Sequence, residues 1–154
     1  MADSKRQQIF DAVVARMNLI KTSGGYETNP KVFGWHAPEF EEGDLADGVL
    51  NVKDPTEEGE EGLIQPHTHD KKLQFEVEFA VGKATDLTIV PVQARKIVAD
   101  INMAIAVDRA WGGLARKTSP VSSEIEVEHA GKVVCGGKAT FTIEYRHQAF
   151  NTYA

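Results

Sequence analysis

Between Leu73 and Val81, the side chains of Leu73, Phe75, Val77, Phe79 and Val81 alternate with those of Gln74, Glu76 and Glu78. Apolar residues at a period of two share one face of an extended chain, whereas a helix would scatter them around its circumference. The stretch therefore predicts a strand with one face in a core and the other toward water. A second run of this kind places Val121, Ser123, Ile125 and Val127 against Ser122, Glu124, Glu126 and Glu128. The "HAGK" of residues 129 to 132 turns the chain back, and Ala139, Phe141, Ile143 and Tyr145 then alternate with polar neighbours. That pattern predicts a hairpin, with Glu126 and Glu128 facing basic partners across the ladder. Gly136-Gly137 inside the return strand predicts a bulge or bend.

Two segments carry the other period. Ser4-Lys5-Arg6-Gln7 has the spacing of a capping box, and Ile9, Val13, Met17 and Ile20, with Phe10 and Val14, form one helical face that runs to Gly24 and Gly25. Pro91 suits the first turn of a second helix, whose buried face is Ile97, Val98, Ile101, Ala104 and Ile105, ending near Asp108 and Trp111-Gly112-Gly113. Residues 31 to 36, "KVFGWH", and 48 to 52, "GVLNV", read as short strands. Residues 54 to 66 combine proline, glycine and carboxylates and read as a mobile acidic loop. The predicted order is α-β-β-β-α-β-β: an α/β (α+β) fold in which a mixed, mostly antiparallel sheet is packed by two main helices, as one domain over residues 1 to 154.

Charge narrows the function classes. The net charge is −6, against the basic footprint of a general nucleic-acid binder. Ten of the 23 acidic residues but only one of the 17 basic ones lie between Glu39 and Glu61, leaving a balance of +3 elsewhere. No stretch approaches the roughly 18 apolar residues of a membrane helix, and "MADSKRQQIF" lacks the apolar centre of a signal peptide, so a cytosolic site of synthesis is expected.

The single cysteine, Cys135, leaves no internal disulfide or cysteine cluster, and its expected place is as a small residue in a strand. His67-Thr68-His69 is the sharpest chemical motif. Two histidines one residue apart can share a metal at a barrel rim, as in cupins, but the third ligand of that pattern would fall at Leu73 or Gln74. A metal site from His67, His69 and Asp70 is the alternative reading, with a polar lead into the strand as the simpler one. His36, His129 and His147 are isolated, and no nucleophile, base and orienting group come together in the sequence, so no catalytic residues and no cofactor are expected. "WGGLA" and "CGGKA" lack the spacing of a phosphate loop.

Over nearly its full length the chain resembles the tail terminator and related minor tail proteins of long-tailed bacteriophages. The resemblance is carried by the helix "RQQIFDAVVARMNLI", by "KVFGW" with the acidic segment after it, and by the strand "LQFEVEFAV". It continues through "ARKIVADINMAIAVDRAWGGLARKT", with Asp100 and Asp108, and the closing "EIEVEHAGKVVCGGKATFTIEYRHQAFNTYA". What it implies is a structural virion protein, not an enzyme, that assembles as a homo-oligomeric ring, typically hexameric, on the end of the tail tube. Such a ring ends tail growth and offers a surface for the head; a head-to-tail joining or other minor tail protein is the neighbouring alternative. The implied partners are further copies of the chain, the tail tube protein and the connector proteins, with DNA only passing through the channel and no membrane. The implied location is the head-proximal end of the virion tail, reached from the host cytoplasm. For such a role Phe150, Asn151 and Tyr153 beyond the last strand, and Glu57, Glu58, Glu60 and Glu61 of the acidic segment, are the candidate subunit or tube contacts.

Overall fold

The computed structural model describes residues 3–35, 45–59, 68–82, 89–129 and 133–148. Helix α1 spans Lys5–Met17, β1 Lys31–Gly34, β2 Val49–Val52, β3 Thr56–Gly59 and β4 Thr68–Gly82. Helix α2 spans Ile89–Val107, followed by β5 Lys117–His129 and β6 Val133–Gln148. The sheet order is β1-β2-β4-β6-β5, with β3 also on β4. Among the described residues only the β1–β2 pair is parallel. The fold is α+β, with a mixed and mostly antiparallel sheet packed by two helices.

The period-two residues fall where alternation puts them. Leu73, Phe75, Val77, Phe79 and Val81 are all buried, and their register partners on β6 include Cys135, Ala139, Phe141 and Ile143, buried as well. Phe75 and Phe141 stack at 5.5 Å between ring centroids. Burial of side chains this size stabilises by about 1.5–3 kcal/mol each, which is why the β4–β6 pair forms the centre of the core. Ile9, Val13 and Met17 of α1 and Ala94, Ile97, Ile101 and Ala104 of α2 close that core from one side. Helix α1 packs against β1 and β2, and α2 against β4, β5 and β6. The other face of the sheet is polar: Lys53 pairs with Glu76 and Glu78, Lys138 with Glu76, and Lys117 with Glu144.

Several expectations need correction. The acidic stretch is not wholly a loop, because Thr56–Gly59 is strand β3, antiparallel to β4 with Glu57 opposite Leu73; residues 60–66 lie outside the described residues. Two of its carboxylates are met by other elements: Asp54 pairs with Arg6 at 3.1 Å, and Glu57 pairs with Lys71 and accepts a hydrogen bond from the Tyr145 hydroxyl. Composition alone conceals this, since the partners are distant in sequence.

No bulge occurs at Gly136-Gly137; the register slip is at Pro120/Ser122 on β5. The glycine at 137 serves a close approach instead, because a Cβ there would collide with the backbone of Glu124 and lie 2.9 Å from the Phe79 ring. Lys138 stands opposite Glu124, while Glu126 and Glu128 face Gly136 and Val134, so the cross-strand basic partner is two residues away from where the pattern put it. Helix α1 stops at Met17, not near Gly24: the Asn18 side chain donates to the carbonyl of Val14, and Ile20 reaches the core from a turn. Ser4 caps the helix through a bond from the Gln7 N–H at 3.2 Å, but the Gln7 side chain bonds Asp11 rather than reaching back.

Candidate assembly surfaces

The polar positions within the resemblance hold the fold together. Asp100 is buried in α2, where its carboxylate accepts from the Glu27 N–H and the Thr28 hydroxyl at 2.6 Å. This pins the segment between α1 and β1 to the second helix. Asp108 follows α2 and accepts from the N–H groups of Ala110 and Gly112 at 2.9 and 2.8 Å. Those backbone donors hold its carboxyl below the usual range. They also shape the turn in which Trp111 adopts a φ of 53°, a region costly for any residue but glycine. The strain is offset by burial: Trp111 Nε1 donates to Thr118 Oγ1 at 2.7 Å, and its ring lies 6.4 Å from that of Phe141.

Of the candidate metal ligands, His67 and the side chain of His69 lie outside the described residues. Asp70 is buried, and its two oxygens accept from Arg146 Nε at 2.8 Å and Arg116 Nη1 at 2.7 Å. The Arg146 hydrogen bond, set against a smaller opposing effect of burial, holds the Asp70 carboxyl below its ordinary range. A cation would have to displace two guanidinium groups there. Among the described residues no group of three or more His, Cys, Asp or Glu converges as metal ligands would. The register sets His69 opposite His147, a juxtaposition that no spacing in the sequence announces.

Of the candidate contacts, Phe150, Asn151, Tyr153, Glu60 and Glu61 lie outside the described residues. Glu58 is exposed on β3, whereas Glu57 is engaged by Tyr145 and Lys71. Burial, and then the Glu57 carboxylate beside it, push the Tyr145 phenol well above its usual range.

The surfaces that sequence patterns missed are at the two ends of the sheet. Strand β5 alternates as predicted, yet Val121, Ile125 and Val127 are 57, 38 and 48% exposed. Ile125 is opposite Gly137 and Val127 opposite Cys135, so both lie on the face that carries the core. A groove of about 230 Å³ runs between α2 and the start of β5, lined by Ile105, Ala106, Arg109, Thr118, Pro120 and Phe141. At the other end, Trp35 directly follows β1, 58% exposed and with a φ of 49°. Alternation identifies such residues as apolar but cannot say whether a helix covers them.

No described helix is long and apolar enough to cross a membrane. Compared with known proteins, the sequence matches no family model and none of the curated proteins.

Proposed function

We propose that this chain is a structural subunit that associates with copies of itself into a closed ring and caps the head-proximal end of a long-tailed phage tail, as its resemblance to tail terminators implies. It works by shape and charge complementarity, not catalysis. The single observation that carries self-association is the outer strand β5. It ends the sheet while presenting three exposed apolar side chains. A monomer has no use for apolar surface on an open edge, which invites pairing with another chain. In this reading the ring forms in the host cytoplasm, seats on the tail tube protein and then offers its far side to the connector proteins, while DNA passes through its channel.

Native mass spectrometry over a range of concentrations, followed by negative-stain electron microscopy, tests the proposal. A metal-free monomer converting to a closed ring, with six copies expected, supports it. A species that remains monomeric throughout, or one that holds a stoichiometric metal lost on substituting His67 and His69, sinks it.

A further inference from the structure

Trp35 stands in water under backbone strain. It directly follows β1, is 58% exposed, and its φ of 49° lies in the left-handed region that a bulky residue adopts only at a cost. Trp111 adopts nearly the same φ, but there burial and the bond from its indole N–H to Thr118 offset the cost. Trp35 is fixed only through its backbone, whose N–H donates to the Val52 carbonyl at 2.8 Å. No side-chain bond or ring contact among the described residues engages its indole. A tryptophan displayed in this way is the residue type that anchors interfaces.

The groove between α2 and the start of β5 supplies what this side chain lacks. Its volume of about 230 Å³ has room for one large aromatic side chain. Buried Phe141 and Thr118 form its floor, and Ile105, Ala106 and Pro120 its apolar walls. Asn102 and Arg109 also line it, both exposed, and among the described residues no side chain pairs with the Arg109 guanidinium. A guanidinium stacks on an indole face, and an asparagine amide oxygen accepts from an indole N–H. Charge agrees as well. Along the chain Trp35 leads into Glu39, Glu41, Glu42 and Asp44, with no lysine or arginine from 36 to 44, whereas the groove carries an unpaired cation.

Trp35 cannot fill the groove of its own copy. The sheet order puts β1 and β5 on opposite edges, four strand spacings or roughly 19 Å apart. We propose that Trp35 of one copy inserts into the groove between α2 and β5 of the next copy, with its indole against Arg109. Different surfaces meet, so every pair still presents one free tryptophan and one free groove, and repetition builds a ring when its rotation closes. The inference rests on the ring reading and names its anchor.

Fluorescence reads the contact directly, because the chain has only two tryptophans and Trp111 is already buried. As the wild-type chain passes from monomer to ring, its emission is expected to lose the component that acrylamide quenches. Two variants at exposed positions, each checked for its fold by circular dichroism, add the energetic test. One is Trp35→Asn, a residue that tolerates positive φ; the other fills and recharges the groove with Ala106→Phe and Arg109→Glu. Each alone is expected to raise the half-assembly concentration more than about tenfold, the effect of losing an interface anchor. Mixed in equal amounts, at a concentration where neither assembles alone, they are expected to form a heterodimer that grows no further, because one intact tryptophan meets one intact groove. A wild-type ring whose tryptophan stays as quenchable as in the monomer, or either variant assembling as well as wild type, overturns this contact and leaves the ring reading standing. A mixture that gives no heterodimer, or that rebuilds full rings, overturns the contact too. A wild-type chain that never leaves the monomer removes both.

Discussion

The guanidinium of Arg16 lies 4.4 Å from the centre of the Trp111 ring, so the end of the first helix rests on the turn that follows the second. The same side chain donates to the carbonyls of Ala104 and Asp108, both at 3.0 Å, and thereby caps the C-terminus of α2. One planar cation joins α1, α2 and the turn that leads into β5. Lysine can supply the charge but neither the fork nor the flat stacking surface. Arg16→Lys is expected to destabilise the protein by about 1–2 kcal/mol, as charged hydrogen bonds and a cation–π contact of this kind would suggest. Urea denaturation followed by tryptophan fluorescence measures it, and an unchanged midpoint would count against this joint.

Asp70 makes stability depend on acid. Its folded carboxyl titrates below the unfolded value, so its contribution is present above about pH 3.9 and is lost as pH falls through the folded pKa. Asp70→Asn is expected to cost about 2 kcal/mol at pH 7, the scale of charge-assisted bonds to half-exposed arginines. The difference from wild type should shrink below pH 4. Denaturant midpoints of both proteins at pH 7 and pH 3 test this, and a gap that widens in acid contradicts the assignment.

Adjacent glycines should respond differently to one added methyl group. At Gly137 a Cβ would lie 2.8 Å from the carbonyl carbon of Glu124, within the ladder itself, so Gly137→Ala is expected to cost about 3 kcal/mol or more. At Gly136 the nearest atom is the Phe79 oxygen at 3.4 Å, and alanine there should be neutral or slightly stabilising, by up to about 0.5 kcal/mol. Thermal melts of the two variants check the contrast. Equal effects would mean that the β5–β6 spacing is wrong.

Cys135 is buried opposite Val81 and Val127, and burial pushes its thiol pKa up. An aromatic disulfide reagent at pH 8 should therefore label it only as fast as β5 and β6 open. Labelling in native buffer is expected to be at least about a hundredfold slower than in urea. A fast native reaction would show that the thiol is open to solvent.

The sequence by itself determined what depends on neighbours along the chain. Period-two and helical spacing identified β4, the hairpin and both helical faces, because side-chain direction follows directly from backbone geometry. The Asp108 turn is also local, since the backbone donors Ala110 and Gly112 that bond its carboxylate lie within four residues. Tertiary structure alone decided the rest. Asp70 meets Arg146 only because the β4–β6 register aligns them, and β3 is a strand through its antiparallel pairing with β4, where Glu57 also meets Lys71 and the Tyr145 of β6. Whether Ile125 and Val127 are buried or exposed was equally out of reach. Alternation gives the face of the sheet on which a residue stands, but exposure depends on where α2 lies, and that is set by packing between distant segments.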